Sequence, residues 1–133
     1  MTVETKKMID FVQSIGIIVD FGIIPPEKEF VPGICIHHGG LLIDINSLKY
    51  PGDILHEAGH LAVASTENRK KMDGILTNDH NEAPAEEMMA IAWSFAAAIY
   101  LNIDPKIAKL APLILIVPVN YFVLNYVVFK KKS

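Results

Sequence analysis

His56, Glu57 and His60 are the residues of this 133-residue chain whose types and spacing could do chemistry together. Positions i and i+4 of an α-helix share a face, so both imidazoles can reach one metal ion from a single helix. Glu57 projects at an adjacent angle, close enough to take a proton from a metal-bound water. The run His56-Glu57-Ala58-Gly59-His60 therefore fits the pattern H-E-x-x-H, which supplies two ligands for Zn²⁺ and a general base.

A catalytic zinc ion usually takes three protein ligands and keeps one position open. The third ligand must come from another part of the chain. Glu86 and Glu87, 26 and 27 residues after His60, open a second strongly helical stretch that can pack beside the first. Adjacent helical residues point about 100° apart, so only one of the two can bind; Glu87 is favoured and Glu86 is the alternate. The rival reading makes both simply acidic residues placed well at a helix N-terminus. His80, in a polar stretch between the helices, is a further candidate. In such a site zinc would acidify a water and polarise a carbonyl. Glu57 would accept the water's proton and pass it to the leaving amine, while Tyr50, Tyr100 or His80 would steady the oxyanion.

These residues need elements to hold them. Pro51-Gly52-Asp53 opens the first helix: a proline in the first turn loses no hydrogen bond, and Asp53 complements the helix dipole. From Ile54 to Ser65 the sequence is apolar on almost every side, which marks a buried helix. Only His56, Glu57 and His60 are costly to bury there, and a metal would satisfy both rings. Gly59 weakens the helix, and close approach of another backbone or of substrate would compensate. The second helix is expected from about residue 84 to 101, with Ala90, Ala92, Ala96, Ala97 and Ala98 allowing close packing. Asn102 and Asp104-Pro105 break it, with Asp104 placed to cap a third helix.

Ahead of the metal helix, residues 4–15 read as an amphipathic helix with Met8, Ile9, Phe11 and Val12 on its packed side, ended by Gly16. Ile17 to Phe21 reads as a strand. Ile34 to His38 and Leu41 to Ile45 read as a hairpin about Gly39-Gly40. An edge strand there could pair with an extended peptide. His37 and His38 would point to opposite faces of a strand, so at most one could face the metal site, and the favoured reading makes both ordinary hairpin residues. The polar run Glu67 to Glu82 is read as a surface loop forming one wall of a cleft.

Composition narrows the class. Hydrophobic residues make up 51% and charged residues 20%, enough apolar material for one packed domain. A net charge of -3 with one arginine, Arg69, argues against nucleic-acid binding. The single Cys35, flanked by Ile34 and Ile36, reads as a buried inert thiol and fits a reducing compartment. The start has no apolar core or cleavage site of a signal peptide, so a cytoplasmic protein is expected. Residues 110–129 form 20 consecutive uncharged positions, a length that would span a bilayer, although Pro112, Pro118, Asn120 and Asn125 interrupt them. The chain is thus divided into a metal-binding domain, 1–109, and an apolar tail, 110–133, that is either membrane-associated or covered by protein.

The motif at His56–His60, the helix opening with Glu86-Glu87, and its continuation Trp93-Ser94-Phe95-Ala96-Ala97 resemble gluzincin-type metallopeptidases, and the ImmA/IrrE-like family in particular. The lead-in Tyr50-Pro51-Gly52-Asp53 and the run Glu87-Met88-Met89-Ala90-Ile91-Ala92-Trp93-Ser94 are similar to a set of small bacterial HEAGH proteins. The resemblance covers about residues 15–105. It implies an α+β, zincin-like fold, a small sheet or hairpin packed on the H-E-x-x-H helix and a second long helix. It also implies zinc held by His56, His60 and the glutamate pair, with Glu57 as base, acting on a peptide or protein substrate. The alternative is a non-catalytic zinc-binding or membrane-associated interaction protein that keeps the same core.

Overall fold

A computed structural model describes residues 1–73, 83–104 and 106. The chain folds as mixed α+β: helix α1 (Val3–Ser14), strand β1 (Val19–Phe21), a 3-10 turn (Pro26–Lys28), strands β2 (Ile34–His37) and β3 (Gly40–Ile43), then helices α2 (Asp53–Val63), α3 (Thr66–Lys71) and α4 (Ala83–Tyr100).

Local chemistry sets the ends of α1. The Thr2 side chain accepts the backbone N–H of Thr5 and caps the start. At the other end Gly16, at φ +88°, lets its own N–H reach the carbonyl of Gln13 while that of Ile17 reaches Val12. Asn102, at φ +53°, closes α4 with the same pair of bonds, to Ile99 and from Ile103 to Ala98. Lys7 reaches across from α1 to the carbonyl of Leu101, tying the two helices together at this end.

The three strands lie in the order β1-β3-β2. β1 runs parallel to β3 with Val19 opposite Leu41, and β2 runs antiparallel with Cys35 opposite Leu42. The hairpin turn is shifted by one residue from the expected Gly-Gly centre. His37 pairs with Gly40, so His38 and Gly39 make the turn, both with positive φ, as a two-residue hairpin of right-handed twist requires. Gly40 belongs to the strand instead. A side chain there would lie 2.6 Å from the Ile18 carbonyl oxygen, so its glycine is needed for the approach of β1.

Helices α1, α2 and α4 and the sheet enclose one core of Met8, Ile9, Val12, Ile34, Ile36, Leu41, Ile43, Ile54, Leu55 and Leu61. Cys35 is buried within the sheet, and burial pushes its thiol pKa up, which suits an inert thiol. The stretch after α2 departs from the expected loop: Thr66–Lys71 is helical, with the Ser65 hydroxyl accepting the Asn68 N–H. Its cap and charge order, Glu67 first and Arg69, Lys70 and Lys71 last, favour a helix without any apolar stripe.

Asp104 accepts the N–H of Lys106 at 2.8 Å; the third helix expected beyond it, residues 74–82 with His80, and the 110–133 tail lie outside the described residues. Among the described residues, no helix is long and apolar enough to cross a membrane.

Candidate metal centre

Helix α2 carries His56 and His60 on the side that meets α4. The contact is close because Gly59 faces the backbone of α4: an added Cβ would sit 2.6 Å from the Ala90 carbonyl oxygen and 3.2 Å from its Cα. Ala90 follows Glu87 by three residues, so the two share a helix face. The small residue on α2 therefore draws the Glu87 end of α4 onto the histidine pair.

The convergence is tight. His56 Nε2 lies 3.2 Å from Glu87 Oε1, His60 Nε2 lies 3.1 Å from Glu87 Oε2, and the two Nε2 atoms are 3.3 Å apart. The three side chains form a group that could hold a metal ion. Glu86, one residue earlier, is exposed on α4 and is not part of the group. Of the two sequence candidates, Glu87 is the one whose carboxylate meets both rings.

Burial is graded across the site. The side chain of His60 is 8% exposed, that of His56 18% and that of Glu87 46%, so the two rings on α2 are more enclosed than the carboxylate on α4. The electrostatics follow. Contact with the two rings holds the Glu87 carboxyl far below the ordinary carboxylate range, despite the opposing effect of partial burial. Burial lowers the His56 pKa, but contact with Glu87 and the charges of Glu87, Glu57 and Asp53 outweigh it, and the net shift is upward. Glu57 shows the reverse balance: burial raises its pKa more than the two neighbouring imidazoles lower it.

The donor set can be tested for fit. Bonds of 2.0–2.1 Å to a tetrahedral zinc put neighbouring ligand atoms roughly 3.3–3.4 Å apart. The Nε2–Nε2 separation of 3.3 Å matches that edge length, and each ring nitrogen lies 3.1–3.2 Å from a different oxygen of Glu87. His56 Nδ1 is buried without a hydrogen-bond partner among the described residues, so no outer partner fixes that ring, whereas metal-binding histidines usually have one.

The expected oxyanion donors fare unequally. Tyr100 lies 13 residues beyond Glu87 on the same helix, about 20 Å along its axis, and its ring packs on Phe11 at 5.6 Å. That separation removes it from the centre. Tyr50 precedes α2, and its ring lies 5.3 Å from the Lys49 ammonium.

A second cluster has no counterpart in the sequence reading. Asp73, just past α3, meets the rings of both His37 and His38. No motif singles out Asp73; only the docking of the hairpin turn on the end of α3 brings it there. Comparison of the chain with protein-family models, with curated proteins and with solved structures gives no match.

Proposed function

We propose that the protein is a zinc-dependent hydrolase of the zincin type, cleaving an amide bond in a peptide or protein substrate. The observation that carries this reading is the convergence of Glu87, from α4, on His56 and His60 of the helix that also bears Glu57, each ring nitrogen lying within 3.2 Å of a Glu87 oxygen and 3.3 Å from the other ring nitrogen. Two imidazoles and one carboxylate are a common ligand set of hydrolytic zinc. When bound, zinc supplies Lewis acidity and a water acidified toward neutral pH.

The chain's own residues would do the rest. His56 and His60 act as neutral ligands, and the Glu87 carboxylate contributes negative charge. Glu57 would accept the proton of the attacking water and deliver it to the departing amine nitrogen.

Glu57→Gln tests the chemistry. It keeps the shape of the side chain and removes the base, so hydrolysis should fall by about 10²–10⁴-fold while metal content stays at the wild-type level. Activity that survives this change sinks the catalytic reading. Metal analysis of Glu87→Ala beside Glu86→Ala tests the ligand set, with loss expected only in the first.

A further inference from the structure

The tip of the β2–β3 hairpin brings a second pair of histidines together. Strand geometry would send adjacent side chains to opposite faces. His38 escapes that rule because it occupies the first turn position at φ +48°. The two rings end on the same side, with centroids 4.0 Å apart. His37 Nδ1 lies 3.3 Å from Asp73 Oδ1, and His38 Nδ1 lies 3.4 Å from Asp73 Oδ2. All three ligand atoms lie within 4.8 Å of one another.

The turn is held there by backbone contacts. The Gly39 N–H donates to the Met72 carbonyl at 2.8 Å, and the His38 N–H donates to Asp73 Oδ1 at 3.3 Å. Gly39 itself admits the close approach, since a Cβ would sit 2.7 Å from the Arg69 carbonyl oxygen. The rings and carboxylate are thus presented by backbone contacts, independently of any bond between the side chains. His37 Nδ1 is buried and makes no hydrogen bond in spite of the carboxylate beside it. A buried ring nitrogen 3.3 Å from a carboxylate oxygen, in no hydrogen bond among the described residues, is well placed to share a cation.

We propose that His37, His38 and Asp73 form a second metal site for a divalent transition-metal ion, Zn²⁺ in the first instance, separate from the His56 centre and weaker than it. Two imidazole nitrogens and one carboxylate oxygen favour zinc-like ions over magnesium or calcium. Two features make it weaker. His38 is 73% exposed at its side chain, and the Lys28 ammonium stands 3.6 Å from Asp73 Oδ1, where it competes with an incoming cation. Metal there would clamp the hairpin to the end of α3.

Zn²⁺ titration of the full, metal-free chain by calorimetry tests the site. Wild type should take a tight and a weaker equivalent. His38→Gly and Asp73→Asn should each weaken the second by at least about tenfold, the scale on which even outer-sphere partners act. Glycine suits the left-handed turn position, so His38→Gly should melt no lower than wild type without metal, which separates loss of a ligand from loss of the fold. Lys28→Met should tighten the weaker equivalent by removing the competing charge. His60→Ala should abolish the tight equivalent and spare the weak one, so failure at either site is seen separately. A wild type with no weaker equivalent, or one that survives both His38→Gly and Asp73→Asn, overturns the second site.

Discussion

At the scale of single residues, the proposed metal at the His56 centre would compete with protons. The His56 pKa is raised, chiefly by Glu87 working against burial. A raised folded-state value means that protonated His56 stabilises the metal-free protein; this contribution is complete below the unfolded value of about 6.5 and is lost as pH rises through the folded one. Metal capture has the opposite sign, because the rings must be neutral to bind. The prediction is a divergence. From about pH 6 to about pH 8 the His56 contribution should lower the melting temperature in chelator, while the increment from saturating Zn²⁺ should grow. An increment that stays flat across this interval, measured by thermal melts in paired buffers, would remove His56 from the ligand set.

At the scale of elements, the decisive contact is the crossing of α2 and α4 at Gly59 and Ala90. Alanine is ordinarily the better helix residue, by about 1 kcal/mol. Here its methyl would meet the Ala90 carbonyl oxygen at 2.6 Å, backbone that can yield only if α4 moves. Gly59→Ala should therefore destabilise the fold by about 1–3 kcal/mol, as overpacking does. It should also weaken metal binding, because Glu87 rides on the helix that is pushed away. Denaturant melts and a Zn²⁺ titration of the variant check both effects; unchanged affinity would mean that this crossing does not set the ligand geometry. Helix α3 carries a different lesson. Its Ser65 cap and its acidic-to-basic charge order were legible locally, but a reading keyed to apolar periodicity passes over a helix that buries no face.

At the scale of the molecule, the centre joins parts of the chain that are far apart in sequence, so bound metal should act as a staple. Free metal at roughly a hundredfold above Kd stabilises a folded state by about 2.7 kcal/mol, on the order of 10 °C in melting temperature for a chain of this size. Chelation should remove that increment from wild type and have little effect on a chain with His60→Ala and Asp73→Asn combined. Differential scanning calorimetry with and without chelator checks it, and an equal shift in both proteins would show that the staple lies elsewhere.

Several features depended on one stretch of chain and were therefore fixed by the sequence alone. The i, i+4 spacing sets His56 and His60 on one face because helix geometry leaves no other arrangement. Gly59 marked a place of close approach, by another backbone or by substrate, and the alanines of α4 marked a helix that could pack closely; only the fold assigned the one to the other. What local patterns cannot encode is how two elements rotate against each other. That rotation brought the Glu87 carboxylate, and not that of Glu86, to both rings, and docked the His38 turn on Asp73. Such choices depend on the packing of whole helices and strands, where a shift of one residue in register redirects every side chain, and only the tertiary structure makes them.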